Sequence, residues 1–269
     1  MEDAIAHLGL LDDEAILLDA DALKLAKLDH PDVSLTPYVD LLTEMTERLV
    51  ITGGDAETAA HRAAILAQVI ADEYGFIGDS ESYDDPDNAD LIRVIDRRRG
   101  LPVSLSILYV AAARRLSWAA DVLNTPGHVL LRIGSGVESV LVDPFAGGVI
   151  VDPDHLSALL ERALGPGVSP TSEHLAAMTN RAVLVRLLMN QATRAEGAGN
   201  LERALTVYRR ITTIAPSYCH GWWERARLEL LRGNVADARS SLSSMLEMTR
   251  EPSLRAHIFA ALDALSHRM

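Results

Sequence analysis

Thiol chemistry is nearly absent from this sequence. Its 269 residues hold one cysteine, Cys219, which excludes an internal disulfide framework and every metal motif built on several cysteines. No apolar run approaches the roughly 18 residues a membrane span needs, and 48% hydrophobic against 23% charged residues is a soluble globular balance, so no membrane association is expected. Basic charge is scarce too. Lys and Arg number 25 against 38 Asp and Glu, a formal net charge of −13. A phosphate-binding surface must supply positive charge, so general nucleic-acid binding is excluded and proteins or small molecules are the expected partners. The opening "MEDAIAHLGLLDDEAILLDA" lacks the basic region and unbroken apolar core of a signal peptide, so a cytoplasmic location is expected.

What is present is mostly helical periodicity. Residues 1 to about 77 carry helix-spaced apolar residues, as in "YVDLLTEMTERL" and "HRAAILAQVIADEYGFIG", and predict three or four packed helices. The acidic stretch "GDSESYDDPDNAD" at 78–90 offers no register with the sixth-position glycine and twelfth-position glutamate of an EF-hand. It is expected to be a solvated loop and helix cap. Next, "RRRGLPVSLSILYVAAARRLSWAADV" predicts a tight turn and then a helix over about 103–116 with one apolar face. Arg97, Arg98 and Arg99 could line an anion site, but they are expected as cations at a helix end, where the dipole alone favours them.

The period then changes. "AADVLNT", "HVLLRI" and "ESVLVDP" are short and rich in Val, Leu and Ile, and "GSG" at 134–136 separates the last two as a hairpin turn would. A small antiparallel sheet follows. If the hairpin is symmetric about Ser135 and Gly136, His128 lies directly opposite Asp143, and cross-strand neighbours have Cβ atoms about 5 Å apart.

From about 175 the pattern is wholly helical and repeats. "GNLERALTVYRR" and "GNVADARSSLSS" pair Gly199 with Gly233, Asn200 with Asn234 and Ala204 with Ala238, at the 34-residue tetratricopeptide period. Tyr208, Pro216, Trp222 and Ala226 fall at that repeat's characteristic positions, while Leu242 and Arg250 depart from them. Trp222 and Trp223 are adjacent, so at most one faces the repeat core. A last helix is expected over roughly 253–267, and Cys219 is expected to be a buried or incidental thiol.

The block "YDDPDNADLIRVIDRRRGLPVSLSILYVAAARRLSW", "NTPGHVLLRI" and "LVDPFAGG" resembles the transglutaminase-like core. Specifically, it resembles the SirB-type branch, in which that core precedes a tetratricopeptide-containing tail. The resemblance implies an α+β fold: a helical N-terminal segment and papain-like core with a small antiparallel sheet over 1–170, then an all-α tetratricopeptide-like tail over 171–269. In catalytic members of the superfamily a Gly-x-Cys opens a helix, a His begins a strand, and an Asp followed by Pro closes the next. His128 and Asp143 match the last two. Ser117 stands where catalytic relatives carry a glycine at the end of the cysteine helix, and the family's spacing, counted back from it, brings Pro102 to the nucleophile position.

Proline has no nucleophilic side chain, and it suits the first turn of a helix. The expectation is therefore a non-catalytic protein-interaction or regulatory module with a degenerate cleft, a protein or peptide partner, and no cofactor or metal. The alternative is a hydrolase or acyl transferase in which Ser104 is the nucleophile, His128 the base and Asp143 its orienting carboxylate. Two residues along a helix are separated by about 200°, so Ser104 is expected to point away from the face that position 102 presents.

Overall fold

A computed structural model describes residues 3–167 and 171–266. In chain order the helices are α1 (Asp3–Ala6), α2 (Leu18–Lys27), α3 (Thr36–Gly53), α4 (Ala59–Leu66), α5 (Leu91–Arg97), α6 (Pro102–Arg115), α7 (Pro153–Leu164), α8 (Asn180–Gly197), α9 (Leu201–Ile214), α10 (Cys219–Leu231), α11 (Val235–Met248) and α12 (Pro252–Ser266). The strands are β1 (Ile77–Gly78), β2 (Arg99–Gly100), β3 (Ala120–Leu123), β4 (Leu130–Ile133), β5 (Val140–Asp143) and β6 (Val149–Val151). Two compact units result. One spans Asp13–Leu184; the other combines the residues up to Asp12 with those from Val185 onward, the division falling within α8. Residue 170, where the sequence ends the core, and residue 267 of the expected last helix lie outside the described residues.

In the Asp13–Leu184 unit the local chemistry explains most element boundaries. Thr58, Asp90 and Asp152 cap α4, α5 and α7 by accepting the His61, Arg93 and His155 amides. Beyond Leu66, α4 continues as a π-helix over Ala67–Glu73. The helix expected near 103–116 is α6, and it differs from expectation in one respect. Every residue from Pro102 to Ala113 is buried, so α6 is a central core helix enclosed on all sides rather than one with a single apolar face.

The antiparallel sheet runs β3-β4-β5-β6. Leu123, Leu130 and Val151 pack with Leu156 and Leu160 of α7. The β3 edge is covered by residues 176–178, where Asn124 N donates to Ala176 O and Met178 N to Val122 O. Two features escaped the sequence: β6, and the short parallel pairing of β1 with β2. The β4–β5 register also differs from the symmetric hairpin. Leu131 pairs with Val142 and Ile133 with Val140, because a 3-10 turn at Gly136–Glu138 lengthens the connection. The slip is two residues, an even number, so each side chain keeps its face.

The other unit contains α9 to α12, and its two repeats have matching backbones. Gly199 and Gly233 have φ of 72° and 78°, and Asn200 and Asn234, next in chain, have φ/ψ of −86°/73° and −85°/68°. Both glycines therefore adopt left-handed conformations that a Cβ would penalise. Ala204 and Ala238 are both fully buried, and Tyr208 and Leu242 are buried at equivalent positions. Trp222 packs against the Ala238–Leu242–Ile258 core and donates Nε1 to Pro216 O, whereas Trp223 is exposed.

Candidate functional site

His128 owes its position to a tight turn. The Thr125 carbonyl accepts the His128 amide, Pro126 is the first central residue and Gly127 the second, with φ 69°, which is the chemistry of a type II turn. A Cβ on Gly127 would come within 2.6 Å of the Ala163 Cβ, so both conformation and space require glycine. The turn delivers the imidazole to Asp143, with Nε2 2.9 Å from Oδ2. The His128 side chain is 18% exposed and that of Asp143 is 7%.

Asp143 has structural bonds as well. Its Oδ1 accepts the amides of Phe145 and Ala146, at 2.9 and 3.2 Å, so the carboxylate folds the chain after β5 while its other oxygen meets the imidazole. Phe145 lies edge-on to His128, and Tyr83 edge-on to Phe145. A hydrogen-bonded frame joins this turn to the start of α6: Phe145 O accepts from Gly78 N, Gly100 O accepts from Asp79 N, and Leu101 N donates to Asn88 O.

Pro102 is the first residue of α6, a position where a missing amide costs nothing. Ser104 does not join His128. Its hydroxyl is fully buried and donates to the Asn88 carbonyl at 2.7 Å, and no hydrogen bond links it to the imidazole among the described residues. Ser106 bonds back to the Pro102 carbonyl. The site thus holds an imidazole oriented by a carboxylate, with no hydroxyl or thiol hydrogen-bonded to it among the described residues. Cys219 belongs to the other unit and its Sγ lies 3.7 Å from Ser217 O.

Asn88, which no sequence pattern marks, is fully buried. Its carbonyl serves Leu101 and Ser104, its Nδ2 donates to Ser82 O and its Oδ1 accepts from Arg97. Arg97 also pairs with Asp79 at 2.9 Å. The amide of Ser82, with help from Asn88 and Arg97, holds the Asp79 carboxyl below its ordinary pKa, although burial opposes this. The acidic loop is therefore folded by its own carboxylates: Asp79 through these bonds, Asp85 by capping a 3-10 turn and Asp90 by capping α5. Tyr109, two helical turns from Pro102 on the same face of α6, is fully buried, and its hydroxyl has no hydrogen-bond partner among the described residues.

Comparison with known proteins agrees with this architecture. A UPF0162 protein of Xylella fastidiosa (strain 9a5c) is 29% identical over 245 residues, covering 90% of this chain and 87% of the relative. A UPF0162 protein of Pseudomonas aeruginosa is 30% identical over 216 residues, 80% of this chain and 78% of the relative. A shorter stretch of 77 residues is 36% identical to F-box only protein 21 of mouse, covering 29% of this chain and 12% of that protein. The model of a transglutaminase-like superfamily family matches residues 36–189, a span that contains α6, the sheet, His128 and Asp143 and exceeds half of the sequence, and so the chain belongs to the transglutaminase-like superfamily.

Proposed function

We propose that this protein is a non-catalytic member of its superfamily, of the SirB-type branch, acting in the cytoplasm as a protein-interaction or regulatory module. The observation that carries the proposal is the start of α6, where Pro102 occupies the first helical position and the hydroxyl of Ser104 is buried and spent on Asn88. Ser117 supports the register behind this assignment: it stands at the glycine position of catalytic relatives and has φ 58°, a left-handed conformation that glycine favours. In this reading the His128–Asp143 pair maintains the fold, and the buried Ser104 weighs against the hydrolase or acyl-transferase alternative built on Ser104, His128 and Asp143.

The matched backbones at Gly199 and Gly233, with the shared burial of Ala204 and Ala238, support a tetratricopeptide-like tail. Such repeats present concave surfaces to proteins or peptides. Between α10 and α12 lies a mainly apolar groove of about 520 Å³, with Trp223, Leu230, Leu231 and Leu265 on its walls.

The test is a pair of measurements on the full chain. Transfer of a glutamine acyl group to a fluorescent amine, and hydrolysis of ester and amide peptides, should not exceed the protein-free rate for either the native protein or His128→Ala. Turnover by the native chain that His128→Ala abolishes would overturn the proposal. A partner captured by the native chain should be retained by His128→Ala and lost by Trp223→Glu; the opposite pattern would place the interaction in the cleft instead of the tail.

A further inference from the structure

Arg98 follows α5 as its C-cap in the left-handed region, with φ 57° and ψ 26°, where glycine is the favoured residue. Its carbonyl accepts from the Ile77 amide and from Arg99 Nη1. The guanidinium carbon lies 4.4 Å from the centre of the Phe76 ring. Nη1 is buried, and among the described residues it has no hydrogen-bond partner and no carboxylate forms an ion pair with the group. Its neighbours differ: Arg97 pairs with Asp79, and Arg99 donates to the Gly75 carbonyl. In a chain with a formal net charge of −13, carboxylates are plentiful, so a buried guanidinium nitrogen without a partner is informative. Buried charges are ordinarily paired, and a strained backbone around such a group points toward a ligand.

The side chain lines a cavity of about 490 Å³, within the usual size range for small-molecule sites. Val33, Pro37, Leu41 and Ile95 give it apolar walls, and Tyr38 and Asp96 give it polar ones. The Tyr38 hydroxyl donates to Asp96 Oδ1 at 3.0 Å and Arg93 Nη1 lies 3.9 Å from its Oδ2, which together hold that half-exposed carboxylate. Burial lowers the pKa of Arg98, and Asp96 is the foremost of the nearby groups acting against that effect; the guanidinium remains charged. The cavity thus combines a cation short of a partner, an anion held in place and an aliphatic wall.

We propose that this cavity binds an apolar α-amino acid, whose carboxylate pairs with Arg98 and whose ammonium group faces Asp96. Arg93 pairs with Asp96 only at 3.9 Å, so a carboxylate lacking an ammonium group would still meet the Asp96 charge, and a phosphate dianion would be repelled more strongly. A zwitterion with an aliphatic side chain satisfies both charges and fills the apolar wall.

The experiment is an NMR titration of the isotopically labelled full chain with L-leucine, 4-methylpentanoate, which lacks the ammonium group, and inorganic phosphate. Leucine should shift the resonances of Tyr38, Asp96 and Arg98, with 4-methylpentanoate binding more weakly and phosphate not at all. Arg98→Met should weaken leucine binding by about tenfold or more. Asp96→Asn, which retains an acceptor for Tyr38, should bring leucine down to the affinity of 4-methylpentanoate, and it provides a second variant should Arg98→Met not fold. The proposal is overturned if leucine shifts none of these resonances at millimolar concentration, if phosphate binds more tightly than leucine, or if the folded variants bind leucine as the native chain does.

Discussion

His128 Nε2 meets Asp143 Oδ2 at 2.9 Å although neither residue is directly opposite the other in the hairpin. Continued past Leu131 and Val142, the ladder sets Leu130 opposite Asp143, so the imidazole reaches the carboxylate diagonally from the turn before β4. Because Asp143 also holds the amides of Phe145 and Ala146, its loss should be felt more than that of His128. Asp143→Ala should lower stability by about 1–3 kcal/mol, and His128→Ala by less. Urea unfolding of the two variants checks this; equal, unchanged midpoints would contradict a structural role for the pair.

Ser104→Ala should cost about 0.5–1.5 kcal/mol, because the Asn88 carbonyl keeps the Leu101 amide when it loses the hydroxyl. Asn88→Ala removes side-chain bonds to Ser82 and Arg97 as well and should destabilise the protein more. Thermal unfolding ranks the two, and the reverse order would mean that Asn88 does not organise the start of α6.

Tyr109 gives a prediction of opposite sign. Its hydroxyl is buried with no partner among the described residues, so Tyr109→Phe relieves an unsatisfied polar group and should leave stability unchanged or raise it by about 1 kcal/mol. A lowered unfolding midpoint would show that the hydroxyl has a partner.

Asp79 carries a pH dependence. Its folded pKa lies below the ordinary carboxyl value, first through the Ser82 amide and then through Asn88 and Arg97. A depressed folded pKa contributes stability that is present above the unfolded value of about 4 and is lost as pH falls through the folded one. Asp79→Asn should therefore be less stable than the native chain at neutral pH and should lose less stability below about pH 4. Unfolding midpoints measured from neutral to acid pH test both parts.

The repeat predicts two matched costs. A Cβ at Gly199 or Gly233 would meet no atom within 4 Å, so alanine at either position incurs only the left-handed backbone penalty of about 1 kcal/mol. Calorimetry should find the two substitutions similar, and a large difference would argue against equivalent turns.

The sequence showed what depends on local composition. β4 and β5 were legible because Val, Leu and Ile flank "GSG", and α6 because Pro102 opens an apolar run. The register was not legible, since the exposed Val137 sits in a 3-10 turn that nothing in "GSGVES" distinguishes from a strand start. β6 was too short at three residues to show a period. For the site, strand geometry already suggested that His128 and Asp143 meet, and the even slip preserved their shared side. The partner of Ser104 was invisible: Asn88 lies 16 residues away and acts through its backbone carbonyl, which has no sequence signature. Arg98 looked like one of three helix-end cations, and only its backbone angle and missing partner separate it from Arg97 and Arg99.

The most direct test of the central claim, that the chain keeps a superfamily scaffold without a working nucleophile, is intact-mass and peptide mapping of the native protein after exposure to a fluorophosphonate. An activated serine hydroxyl displaces fluoride from this reagent and stays phosphonylated. With Ser104 buried against Asn88, the account predicts no adduct at Ser104 in the folded protein, for the native chain and for His128→Ala alike. A stoichiometric adduct on Ser104 that disappears in His128→Ala would contradict it.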